Sequence, residues 1–293
     1  MNVKIQILFF FSIQLIIKGQ QINMNFPKFS GKRYEFIIFQ GQNEEVVHKG
    51  MIPNDGKFTL MIPEKYNNYI GMSRWLITGT EEGGGLDMFI PGHDFSVNCF
   101  MELPNEDNII FDNNSENNEF NKVFKIQESI LSRYRSMNMV TQFYDKSYKY
   151  YTLFKSEENK QKSHYLNFLK KINKNKSYLS HFLHVVNITN GREGILENTE
   201  AEMNKYIIQY ISNELDWDIL YTTGHWSYII EYWLDNYINV FKNSEEFLKD
   251  FESVTSNIRS NKVYNDFLTT VYYYLNQFGK KEYLDLISYF NYK

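Results

Sequence analysis

Residues 84–102 read GGLDMFIPGHDFSVNCFME, and the class of the first half of the chain follows from them. Leu86, Met88 and Ile90 alternate with Asp87. Beyond a short break, Phe95, Val97, Cys99 and Met101 alternate with Ser96, Asn98 and Glu102. Side chains on a strand point to opposite faces with a period of two, so this pattern predicts two strands, each with one apolar and one wet face. Phe89 and Phe100 interrupt the wet face, which implies that part of it is covered as well. Ile90-Pro91-Gly92-His93 joins the strands. Proline presets a negative φ at the second turn position and glycine accepts a positive φ at the third, the signature of a type II turn. The whole stretch is expected to form a hairpin.

On either side of it the chain keeps the same character. Tyr34 to Gln40, Glu44 to Ile52, Lys57 to Ile62, Tyr69 to Thr78 and Asn108 to Phe111 are short runs rich in aromatic and β-branched residues. Pro53-Asn54-Asp55-Gly56 separates two of them, and Asp-Gly between apolar runs is a hairpin signal. About seven short strands with regular turn signals predict a sandwich or barrel.

The period changes at residue 113. Asn113, Asn114 and Ser115 suit a helix N-cap. Phe120, Val123, Phe124, Gln127, Ile130, Leu131, Tyr134 and Met137 then recur at three and four, an amphipathic helix with one buried stripe. Further helical segments are expected within 143–175, at 177–186, at 201–215 and from Trp226 to Val240, where Ile229, Ile230, Trp233 and Tyr237 carry the stripe. Three more are expected at about 245–259, 262–278 and 280–291. Residues 187–199 and 216–224 read as breaks. The expected fold is α+β: an N-terminal antiparallel β-sandwich or barrel over 20–112, followed by an all-helical domain over 113–293.

The chain has 293 residues, is 43% hydrophobic and 17% aromatic, and carries a net charge of −4. Such a composition excludes a disordered chain, and the absence of a basic excess argues against nucleic acid as a partner. Residues 20–112 hold 7 lysines and arginines against 13 acids, whereas the rest is balanced at 22 and 22; an acidic solvated surface accounts for the difference. Residues 1–19 read as an export signal: Lys4, a mainly apolar run from Ile5 to Ile17, and Gly19 before a cut at Gln20. The apolar run is shorter than the ~20 residues that span a bilayer, and no later stretch is long and apolar enough to cross one, so no transmembrane segment is expected in the mature chain. The expected location is the periplasm or cell envelope.

The residues suited to chemistry form no catalytic pattern. His181 and His184 are spaced to share a metal, but a metal needs three or four ligands and no third lies nearby in sequence. His225-Trp226 reads as a helix start and His93-Asp94 as turn chemistry. Gly83-Gly84-Gly85 precedes no helix and is no phosphate cradle. Glu44-Glu45 and Glu81-Glu82 are acidic pairs near turns. Cys99, the single cysteine, lies on an apolar strand face and is expected to be buried and inert. No catalytic, cofactor-binding or metal-binding residue is assigned.

The layout resembles the N-terminal region of TlpA-like thiol–disulfide oxidoreductases of the bacterial cell envelope, in which an exported β-domain of unknown function precedes helices and then a thioredoxin-like domain. The likeness rests on Asn54 to Phe58, on Leu86 to Val97, and on Ile109 to Phe111 running into Ser115 to Phe120. Leu215 to Tyr237, with Asp216-Trp217-Asp218, fits more loosely. The family's chemistry belongs to a Cys-x-x-Cys that this chain lacks, and the chain stops about where the thioredoxin-like domain would begin. The resemblance implies a non-catalytic accessory or interaction module. The alternative is a fragment of an oxidoreductase whose active domain is lost or encoded downstream. The C-terminal helices carry two adjacent apolar stripes, Val263, Phe267, Val271, Tyr274 and Phe278 beside Tyr264, Leu268, Tyr272 and Leu275. These are expected either to form the bundle centre or to bind a thioredoxin-like protein or a second copy.

Overall fold

The structure, a computed structural model, describes residues 19–290 except 67 and 82; nearly all of the export signal and the last three residues lie outside it. Eight strands come first. They are β1 (Gln21–Asn25), β2 (Arg33–Gln40), β3 (Asn43–Met51), β4 (Lys57–Met61), β5 (Ile70–Thr78), β6 (Gly85–Pro91), β7 (Phe95–Asn98) and β8 (Ile110–Asp112). They form two four-stranded sheets, ordered β4-β1-β7-β8 and β3-β2-β5-β6. All neighbours are antiparallel except β1 and β7, which are parallel. Ile22, Met24, Leu60, Phe95 and Val97 of the first sheet meet Phe36, Ile38, Trp75, Met88 and Ile90 of the second in one core. The expected α+β fold, sandwich first and helices after, is present.

The stretch 84–102 is not a hairpin. β6 and β7 alternate as expected, and Gly92 has the expected positive φ of 88°, but the two strands belong to different sheets. The turn carries the chain across the sandwich. Met88 and Ile90 therefore face Phe95 and Val97 through the core instead of lying beside them. The Asp55-Gly56 turn does the same, because β3 pairs only with β2 and β4 only with β1. Gly56 has a φ of +73°, and its carbonyl accepts from Phe26 N at 2.8 Å. Turn chemistry fixes local backbone angles; which strand lies alongside is decided by the face each must bury.

The second sheet is covered on both sides. In the run Phe36-Ile37-Ile38-Phe39, Phe36 and Ile38 point into the sandwich. Ile37 and Phe39 join Met72 and Phe89 under the helices. Phe89 packs on Phe120 and Tyr178, with ring centroids 5.3 and 4.7 Å apart. Phe100, the other residue expected to mark a covered face, is more than half exposed because β7 ends at Asn98.

The helices are α1 (Ser115–Phe143), α2 (Tyr151–Ile172), α3 (Tyr178–Thr189), α4 (Glu200–Asn213), α5 (Trp217–Leu220), α6 (Trp226–Asp235), α7 (Ser244–Asn257), α8 (Asn261–Gln277) and α9 (Lys281–Ile287). Asn114 caps α1. Phe120, Val123, Gln127, Leu131 and Tyr134 of its expected stripe are buried. α3 is buried almost all round: Leu179, Phe182 and Leu183 face the sheet, while Val185 and Ile188 join the core of the later helices. α6 stops short of the expected Val240, since Asn236–Phe241 is a π turn. The extra residue in that turn rotates the face, leaving Tyr237 buried and Val240 about half exposed. The two C-terminal stripes supply the bundle centre. Val263, Phe267 and Val271 of one and Tyr264, Leu268 and Leu275 of the other are all buried. No described helix is long and apolar enough to cross a membrane.

Two sets of polar contacts hold the layers together. The break at 216–224 meets the second sheet where β2 ends and β5 begins, with Met72 N donating to Thr222 O at 2.9 Å and Gly41 N to Tyr221 O at 2.8 Å. A Cβ on Gly71 would sit 2.4 Å from the Thr222 side chain, so glycine is required there. On edge strand β6, the Asn117 side chain accepts from Phe89 N at 2.9 Å and donates to Phe89 O at 2.8 Å. Asn114 donates to the same carbonyl at 2.9 Å. The amide of Asn117 thus stands in for a neighbouring strand and closes an edge that would otherwise be open to pairing.

Asn117→Ala leaves Phe89 N–H buried without a partner, which costs about 1–3 kcal/mol. Asn117→Asp is the harsher change at neutral pH, because its second carboxylate oxygen faces the Phe89 carbonyl. Urea unfolding of both variants should show midpoints below wild type in that order; a wild-type midpoint for Asn117→Ala would refute the clamp.

Candidate functional site

The best-formed concavity lies in the sandwich, where edge strands β6 and β8 face each other across the two sheets. Its volume is about 350 Å³, at the lower end of the roughly 300–1,000 Å³ of small-molecule sites. Phe26, Phe29, Trp75 and Phe111 give it an aromatic lining, and Ile77, Leu86 and Ile109 complete the apolar walls. Asp87, Asn105, Glu106, Asn117 and Asn121 are the polar residues that border it. Trp75 is 3% exposed and packs on Phe26 with ring centroids 4.8 Å apart.

The ionisable groups at this cavity are already engaged. Asp87 holds Arg74 through two hydrogen bonds, Nε to Oδ1 at 2.7 Å and Nη2 to Oδ2 at 3.1 Å. Lys125 of α1 lies 3.3 Å from Glu106 and 2.6 Å from Asp107, pinning the loop before β8 to the helix. Asn117, at the inner end, is spent on Phe89. Among the described residues, one fully buried polar group at the cavity is left over. The indoles of Trp226 and Trp233 donate to Thr270 Oγ1 and Ser212 Oγ, each at 3.0 Å. Those of Trp75 and Trp217 have no hydrogen-bond partner, and of these two Trp75 lines the cavity. A buried donor without a partner costs about 1–3 kcal/mol.

The glycine run takes part in this site without being a phosphate cradle. Gly84 and Gly85 form part of the wall. Gly84 has a φ of +129°, a conformation open only to glycine, which lets the loop pass over the opening without a side chain to fill it.

His181 and His184 belong to a separate buried network. His184 Nδ1 lies 3.0 Å from Glu193 Oε1, and Nε2 lies 3.0 Å from Asn173 Oδ1. Both nitrogens face acceptors, so the ring satisfies both only by donating twice. His181 plays the opposite part. Its Nδ1 accepts from the backbone N–H of Asp216 at 3.4 Å and lies 3.3 Å from Tyr210 OH. A backbone N–H can only donate, which fixes Nδ1 as the unprotonated nitrogen. Rings in opposite roles do not share an ion, and no group of three metal-ligating residues occurs among the described residues. Tyr165, Tyr206 and Tyr210 surround Glu193. Burial first, and then the Glu193 carboxylate, pushes their hydroxyls above the ordinary tyrosine range. Glu193 is 1% exposed and sits in the 187–199 segment read as a loop, where nothing in the sequence marks it as buried.

The remaining candidates have structural roles. Asp94 Oδ1 accepts from Gln21 N at 2.7 Å and so starts β1, while the His93 carbonyl accepts from Gln20. His225 is the N-cap of α6. Glu44, Glu45 and Glu81 are exposed; Glu82 is outside the described residues. Cys99 is fully buried, its Sγ 3.5 Å from Asn108 Oδ1.

His181 and His225 titrate below the ordinary histidine range, burial being the largest cause. The unfolded chain therefore takes up protons first as pH drops. The stability carried by the neutral rings is complete above about pH 6.5 and is lost as pH falls through that value towards the lower folded-state values. Unfolding free energy should decline over this window, and His181→Gln, which keeps an acceptor, should flatten the slope. A pH-independent free energy between neutrality and the carboxylate range would contradict the neutral assignment.

Compared with protein-family models, curated proteins and solved structures, the chain matches none.

Proposed function

We propose that this chain is a non-catalytic binding module of the bacterial cell envelope, exported by its first 19 residues and akin to the N-terminal region of TlpA-like oxidoreductases. The observation that carries the reading is the cavity between β6 and β8, which pairs an aromatic lining with carboxylates already engaged by Arg74 and Lys125. A catalytic pocket keeps a base or nucleophile free to move a proton; a binding pocket needs only shape and a few fixed polar groups. Export is supported by the start of the fold. β1 begins at Gln21, and Gln20 is tied to the His93 carbonyl at 2.8 Å, so a cut before Gln20 leaves the first sheet whole.

The module's protein partner, in this reading, is a separate thioredoxin-like protein or a second copy that meets the C-terminal helices. Most of both stripes is buried, but Phe278 at the end of one, and Tyr273 and Tyr289 beside them, remain exposed. Light scattering across concentration tests self-association, and a strictly monomeric chain would leave only the separate partner.

A chain whose single thiol is buried cannot cycle through an internal disulfide. With dithiothreitol as reductant, insulin reduction should run at the uncatalysed rate for both wild type and Cys99→Ser. Turnover that vanishes in Cys99→Ser would overturn the non-catalytic reading. Protein recovered from the native envelope should begin at Gln20 on N-terminal sequencing; an intact Met1 chain in the cytoplasm would overturn export.

A further inference from the structure

The cavity's chemistry narrows what it accepts, and this step rests on the binding reading above. The walls are apolar and largely aromatic, contributed by both sheets: Trp75 and Leu86 from one, Phe111 and neighbouring Ile109 from the other. A flat body slides between two facing sheets, since the gap is set by side chains stacked from each inner face. Asp87 is paired with Arg74, Glu106 shares Lys125 with the nearer Asp107, and the lining includes no lysine or arginine, so the border offers no cation to hold an anionic ligand. Among the described residues, the Trp75 indole nitrogen is the one fully buried polar side-chain atom at the cavity without a partner.

We propose that this cavity binds a small uncharged compound with a flat, apolar body, which passes between the edges of β6 and β8 and lies among the aromatic side chains of Phe26, Trp75 and Phe111. Its volume of about 350 Å³ suits a two-ring compound better than a long acyl chain. Lys32 Nζ, 5.2 Å from the Phe29 ring centroid, is the cation to weigh against the neutral class, and an anionic probe tests it.

The probe is prodan, a neutral naphthalene with one ketone and a dimethylamino group, titrated against the full chain by its emission. Saturable binding of one dye per chain with blue-shifted emission is expected. Leu86→Trp and Ile109→Trp, which fill the cavity from opposite walls, should each weaken it by about tenfold or more, equivalent to about 1.4 kcal/mol. Two filling variants guard against one that fails to fold, and circular dichroism identifies it. Anilinonaphthalene sulfonate bound more tightly than prodan, and sensitive to the same filling variants, would overturn the neutral class but leave a binding module. No binding by any probe, or binding indifferent to both filling variants, would overturn this inference and the binding reading together.

Discussion

The structure depends on burying one sheet from both sides. Ile37, Phe39, Met72 and Phe89 point away from the sandwich core, and exposed to water they would form a broad apolar face. α1 and α3 cover that face, so the helices are as necessary to the sheet as the sheet is to them. The cover works only because the polar backbone along its margin is also satisfied. Phe89 shows both requirements at one residue: its ring is sealed by Phe120 and Tyr178, and its N–H and C=O are taken by Asn117.

The two chain segments least regular in sequence carry much of this joint. Residues 216–224 interrupt the helices, yet their carbonyls accept from Met72 and Gly41 on the sheet, and Tyr178 OH donates to the Thr222 carbonyl at 2.9 Å. Residues 187–199 deliver Glu193 to His184. Breaks in periodicity here are places where the backbone leaves a helix to make contacts that a helix, with its own carbonyls engaged, does not make.

The same construction explains where the cavity is. Asn114 and Asn117 close β6 near Phe89, but towards Gly85 the strand faces only the short β8 and the loop pinned by Lys125. There the two sheets come to their edges with glycine on one side and a three-residue strand on the other. A gap between aromatic side chains is left where neither sheet has a further strand to fill it.

The local elements were legible in the order of the residues. Period-two alternation marked the strands, period-three-and-four stripes marked the helices, Asn114 was readable as a cap, and Cys99 as buried. These follow from backbone geometry and the sorting of apolar from polar side chains, which act within a few residues. The buried continuation Ile37 and Phe39 was visible as an unbroken apolar run in β2, and Phe89 as an apolar intruder on a wet face. Partners were not visible. Gly92 and Gly56 have the turn conformations their residues demand, yet each turn crosses between sheets, because pairing is decided by which faces share a core. Trp75 and Phe111 lie in runs that read only as strands, and only the meeting of two sheet edges brings them, with Phe26, around a cavity. His181 and His184, alike in sequence, take opposite hydrogen-bond roles because Asp216 and Glu193 arrive from distant segments. Contacts of that kind belong to the tertiary structure alone, since they depend on groups tens of residues apart that no local pattern relates.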